Sequence, residues 1–202
     1  MSRSSTDPDA TARTAGRKKD PEIDRAVLRA TLELLEETGY AATSISAVAS
    51  HVGVYRPAIY RRWPSKQHLV AAAVASALGS EPTPDTGDVR ADLLTSIGTL
   101  VDAFTSTGVS RVLPALVADL SQQPDLQRDF MDSVFLPRRA STARRLRAAA
   151  ERGEIRGDFD LEFILDALAA PLYYRALFGH GPLTRAVAEQ SVDLVLASLR
   201  TN

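Results

Sequence analysis

The chain has 202 residues, 45% hydrophobic and 24% charged, enough to bury a core in one large or two small domains. It has no cysteine, no run approaching the roughly 18 apolar residues of a membrane span and no apolar N-terminal signal core. These absences exclude disulfide and cysteine-metal chemistry and set the expectation of a cytoplasmic protein with no membrane partner, while a net charge of −1 taken alone argues against a nucleic-acid binder.

Residues 1–20 are rich in Ser, Thr, Asp, Arg and Gly without apolar periodicity, and read as a disordered arm. The arm ends in Arg13, Arg17, Lys18 and Lys19, either a solubilising tail or a minor-groove contact of the homeodomain type. Pro21 suits a helical first turn. From there Ile23, Val27, Ala30 and Leu34 recur at helical spacing until Gly39 ends the helix. A short helix over Thr43 to Val52 follows, capped by Thr43 or Ser44 and broken by Gly53. A second short helix runs from about Arg56 to Arg62 and is stopped by Pro64, after which Ser65 caps a longer helix carrying Leu69, Val70, Val74 and Leu78.

No acidic residue lies between Thr38 and Ser80, whereas Arg56, Arg61, Arg62 and Lys66 all do. Residues 1–70 hold 11 Lys/Arg against 8 Asp/Glu, and residues 71–202 hold 13 against 17. The window is either a chance fluctuation or a local footprint for a polyanion.

Gly79 to Gly87, with Pro82 and Pro84, reads as a connection, so the expected units are residues 21–70 and 71–202, with the fourth helix bridging them. Beyond it the spacing predicts helices near 88–107, 110–121, 124–152, 160–179 and 184–200. Pro114, Pro137 and Pro171 fall inside them, each predicting a kink or break. No strand-like alternation is present. The fold class is all-α, with about nine helices: a three-helix N-terminal unit and a helical C-terminal unit.

Two short helices joined through a glycine, after a longer one, have the form of a helix-turn-helix. Val48, Val52, Val54 and Ile59 can pack the pair, which turns Tyr55, Arg56, Pro57, Tyr60 and Arg61 outward. An α-helix fits the major groove of B-DNA, where Arg donates two bonds to guanine and Tyr can donate to phosphate. Lys66, at a helix N-terminus, suits phosphate as well.

The run from Gly39-Tyr40 through Ser44-Ile45, then Gly53-Val54, then Ile59-Tyr60-Arg61-Arg62-Trp63-Pro64-Ser65-Lys66 resembles the DNA-binding domain of the TetR family of regulators. Phe135-Leu136-Pro137-Arg138-Arg139, Arg152-Gly153-Glu154 and Ala170-Pro171-Leu172-Tyr173-Tyr174-Arg175 resemble the C-terminal domain of one subgroup. The resemblance implies a homodimer on a palindromic double-stranded operator, a repressor released by an unidentified small-molecule effector. By position, Thr43 and Ser44 would touch backbone, Tyr55, Arg56 and Pro57 would face base edges, and Tyr60, Arg61, Arg62 and Lys66 would hold phosphates. Tyr55 departs from the family, which commonly has a small capping residue there; this places base specificity in question. At least one of Arg61 and Arg62 reads equally well as a solvated charge, and Trp63 and Tyr40 read as packing.

The helix at 161–178 is apolar nearly all round and therefore needs cover on every side. A second subunit is the expected cover, and with the last helix it would form a four-helix interface through Leu165, Leu168, Leu172, Val192, Val195 and Leu199. Phe104, Leu116, Met131, Phe135, Tyr173 and Tyr174 are the candidate lining of an effector pocket, although each taken singly reads better as ordinary packed core. No phosphate loop, HExxH or GxSxG motif is present, and the three histidines, His51, His68 and His180, are far apart; no enzyme, metal or cofactor is expected. The alternatives are an architectural DNA binder or a helical ligand-binding adaptor without a specific operator.

Overall fold

The computed structural model describes residues 21–200; the basic arm expected at 1–20 lies outside them. The described residues are all-helical, with no strand. In chain order they form α1 (Pro21–Ala42), α2 (Ile45–Val52), α3 (Arg56–Tyr60), α4 (Lys66–Leu78), α5 (Val89–Ser106), α6 (Val109–Gln122), α7 (Pro124–Phe130), α8 (Leu136–Glu151), α9 (Leu161–Phe178) and α10 (Arg185–Ser198). A π-helical turn, Met131–Phe135, joins α7 to α8 without a break, so these residues form one rod where the sequence predicts a single helix over 124–152.

Each boundary has a local cause. Gly39 (φ 79°, ψ 169°) leaves helical geometry inside α1, so Tyr40 to Ala42 form a separate terminal turn. Ser44 caps α2 by accepting from the Ala47 amide, and Gly53 ends it in the left-handed region that glycine enters without a Cβ penalty. Ser65, Asp88 and Asp160 cap α4, α5 and α9 in the same way as Ser44. The π turn precedes Pro137, which has no N–H, and the Leu136 amide reaches back to the Met131 carbonyl. Pro114 and Pro171 sit inside α6 and α9 without breaking either helix.

Two cores form. The smaller holds Val27 and Ala30 of α1, Ile45, Val48 and Ala49 of α2, Ile59 of α3 and Leu69 of α4, with Trp63 packed at its margin. The larger joins α5 to α10 and extends to Leu35 of α1 and Val70, Ala71, Val74 and Leu78 of α4. Helix α4 thus belongs to both cores. Its near-continuous apolar sequence follows from that, because a helix covered on two sides needs two apolar faces.

A charged cluster closes the far end of the larger core. Arg145 and Asp92 are each only 1% exposed, and the Arg145 Nε donates to Asp92 Oδ2 at 2.5 Å. Asp92 also accepts from the Thr86 amide and hydroxyl. Glu154 (3.3 Å) and Asp85 (3.4 Å) complete the surroundings of Arg145. Burial pushes the Asp92 carboxyl up, but the donors from Arg145 and Thr86 outweigh it and hold it below the usual carboxylate value.

Candidate nucleic-acid interface and ligand cavity

Helices α2 and α3 meet through the Gly53 turn, where the Val54 amide donates to Ala49 O (3.0 Å). Ile59 anchors α3 to the small core, and the opposite side of the helix faces out. On that side lie Tyr55 (79% exposed), Arg56, Pro57, Tyr60 and Arg61, with no carboxylate among them. Tyr55 takes the N-cap position of α3 without a side-chain cap bond, and its ring projects into solvent. The Arg56 guanidinium donates to the Tyr60 hydroxyl (3.0 Å) and lies 5.2 Å from the centre of its ring, which fixes both side chains on one surface. Ser44 is exposed at the start of α2.

Three of the residues assigned to DNA from sequence have other engagements. Thr43 is buried and donates its hydroxyl to Gly39 O (2.8 Å), fastening the end of α1 rather than facing a phosphate. Arg62 is half-buried, ion-paired with Asp24 of α1 and bonded to Ala58 O (3.2 Å), so its charge is neutralised within the unit. Lys66 packs its ammonium 4.2 Å from the centre of the Tyr40 ring and donates to Tyr40 O. Its burial lowers the ammonium pKa, opposed by Asp119. The Tyr40 hydroxyl in turn donates to Asp119 of α6, and burial, reinforced by that carboxylate, pushes the phenol well above its ordinary value. Lys66, Tyr40 and Asp119 therefore form a polar chain from the start of α4 to the larger unit.

A cavity of about 400 Å³ opens between α5, α8, α9 and the π turn. Of the expected lining, Phe135 and Tyr173 are at its wall. Phe104 stands behind it, in edge contact with Tyr173 (centroids 5.1 Å apart, 77°). Leu116 is in the core and Met131 on the π turn, neither at the wall, and Tyr174 faces outward, 58% exposed. Tyr174 is therefore removed from the lining, since the α9 register sends it away from its neighbour Tyr173. The sequence reading missed Arg138, Arg139, Ser96 and Thr142, which bring polar groups to the wall. The only signal for them was a pair of arginines placed after Pro137.

The expected interface residues also need correction. Leu165 and Leu168 line the cavity, and Leu172, Val192, Val195 and Leu199 are buried in the protomer's own core. The face of α9 and α10 left open carries Phe163, Ala170, Tyr174, Phe178 and Leu194, the last 74% exposed. Phe163, Ala170, Tyr174 and Phe178 follow one another at helical spacing, so they form a single stripe.

Comparison with known proteins agrees with this geometry. Residues 27–73 match the family model "Bacterial regulatory proteins, tetR family", and residues 83–195 match "Tetracyclin repressor-like, C-terminal domain". An uncharacterized HTH-type transcriptional regulator of Mycobacterium tuberculosis, Rv1556, is 32% identical over 94% of this chain and 96% of its own length. The DNA-binding transcriptional repressor TetR of Mycobacteroides abscessus is 32% identical over 86% of this chain and 92% of its own. The crystal structure of the TetR family transcription regulator SCO0332 superposes with a TM-score of 0.68 and 34% identity, covering 89% of this chain and all of that one.

Proposed function

The chain belongs to the TetR family of DNA-binding transcriptional regulators, and from that premise we propose that it works as a homodimeric repressor released from a palindromic operator by a small ligand. The observation that carries the reading is the outward face of α3, where Tyr55, Arg56, Pro57, Tyr60 and Arg61 are exposed on one surface free of carboxylates. Arg56 is the base-reading residue, because its guanidinium keeps donors beyond the one given to Tyr60 and can address guanine O6 and N7. Tyr55 and Pro57 flank it at the groove. Ser44, Tyr60 and Arg61 hold phosphates, and Lys66 adds positive charge from the side.

The dimer pairs the open α9–α10 face with its copy. Phe163, Tyr174, Phe178 and Leu194 are large apolar side chains exposed together, which an isologous contact would cover. Support for repression comes from the Mycobacteroides relative, whose name describes a repressor. The cavity beside Tyr173 is the effector site, and linkage requires the ligand to lower operator affinity by as much as the operator lowers ligand affinity.

The test is a titration of the purified protein against DNA flanking its own gene at two salt concentrations. Saturable binding to a palindrome, far above binding to unrelated DNA, supports the reading. Weak binding indifferent to sequence replaces it with an architectural role.

A further inference from the structure

Of the three arginines of α8 that pack into the larger unit, Arg138 differs in its partners. Arg145 faces Asp92 and Glu154, and Arg139 faces Glu162 and Asp166. Arg138 is held only by neutral oxygens: the carbonyls of Leu78 (2.6 Å), Gly79 (3.3 Å) and Ser96 (3.2 Å) and the Thr99 hydroxyl (2.8 Å). No ion pair among the described residues includes it. Burial lowers its pKa, but an arginine in a protein keeps its proton, so a cation without a counter-ion stands at the cavity wall.

Uncompensated buried charge is costly, and a fold that retains one beside an open space leaves room for the missing anion. The rest of the wall is mainly apolar, with Ile97, Leu100, Leu165 and Leu168 prominent. Beside them the half-buried Tyr173 makes no hydrogen bond through its hydroxyl among the described residues. The volume lies at the lower end of the roughly 300–1,000 Å³ of small-molecule sites.

We infer that the cavity takes an apolar ligand carrying a single anionic group, a carboxylate or sulfonate, with Arg138 as its counter-charge and Tyr173 as a second donor. This rests on reading the chain as a ligand-controlled regulator and specifies the chemistry of its effector. The same guanidinium holds the last carbonyls of α4, the helix shared with the DNA-reading unit. The ligand anion and the end of α4 therefore compete for one cation.

The experiment uses two fluorescent probes that differ only by a sulfonate, 8-anilino-1-naphthalenesulfonate and N-phenyl-1-naphthylamine, titrated into the full-length protein without DNA. The expected result is one saturable site per chain that binds the sulfonate about tenfold more tightly or better. Arg138→Met abolishes that preference while keeping the neutral probe, and Arg144→Met, on the exposed side of the same helix and away from the cavity, leaves the preference intact. Ala169→Trp, which fills the cavity, removes both probes. Equal binding of the two probes, no saturable binding, or a preference that survives Arg138→Met overturns the inference. If Arg138→Met loses its native circular dichroism, Arg138→Lys and Ala169→Trp decide: the preference must persist in the first and both probes must be lost in the second. Because no DNA is present, this result and the operator titration can fail independently.

Discussion

Replacing Asp92 by Asn tests whether the buried ion cluster carries stability through charge. The substitution is nearly isosteric and keeps one oxygen for Thr86, but it leaves the Arg145 guanidinium, 1% exposed, without its closest carboxylate. Glu154 and Asp85 remain at 3.3 and 3.4 Å, and both are more exposed than Asp92. Breaking one side of a buried pair typically costs about 3–5 kcal/mol, because the surviving charge stays buried. For a chain of this size that corresponds to a loss of roughly 6–20 °C in melting temperature. The assay is thermal and urea unfolding followed by circular dichroism, at pH 7 and then at successively lower pH. The folded-state pKa of Asp92 is depressed, so its contribution is fully present above the unfolded value of about 3.9 and is lost as pH falls through the lower folded value. The gap between wild type and Asp92→Asn should therefore hold from pH 7 to about 5 and close below about 3.9. A deficit under about 1 kcal/mol at pH 7, or a gap that widens on acidification, would refute the argument. The double variant Asp92→Leu, Arg145→Met removes both charges and should recover most of the stability.

Further outcomes are expected. Arg56→Ala should weaken operator binding by about 1–3 kcal/mol and relax preference at one position per half-site, measured on a panel of operator variants. Arg61→Ala should weaken binding alike on every sequence and lower the salt slope by about one charge, read from titrations at several salt concentrations. Phe178→Glu with Leu194→Arg should yield a folded monomer in sedimentation, whereas Leu172→Ala should cost about 2–5 kcal/mol of stability and leave the association state unchanged. Tyr40→Phe removes the donor to Asp119 and should cost about 1.5–3 kcal/mol in urea unfolding, since the acceptor is charged.

Helix ends were the most legible part of the chain. Gly39, Gly53 and Ser65 act through backbone geometry and capping within a few residues, and the structure bends, ends or starts its helices there, whereas α3 stops at Tyr60, short of the Arg62 end expected from Pro64. The outward face of α3 was readable for the same reason: Ile59 alone fixes which side is buried. Long-range pairing was not readable. Nothing near Arg62 shows that Asp24, on another helix, will neutralise it. In α9 the periodicity itself was uninformative, because apolar residues on every side hide which side meets the protomer's own core. The leucines went inward, while Phe163, Tyr174 and Phe178 stayed out. The lack of a counter-ion at Arg138 is a property of three helices brought together, and no local pattern encodes it.

The double membership of α4 limits how separable the two halves of the molecule are. A fragment cut after Leu78 would carry the DNA-reading surface proposed above, yet Val70, Ala71, Val74 and Leu78, with Leu35 of α1, would be stripped of their partners and presented to water. Grafting this head onto a relative's body faces the same constraint. The back of α4, the rear of α1 and the Tyr40–Asp119 contact would have to be transplanted as one block. Recombination among such regulators should therefore tolerate junctions in the Gly79–Gly87 connection only when the receiving body already fits this seam.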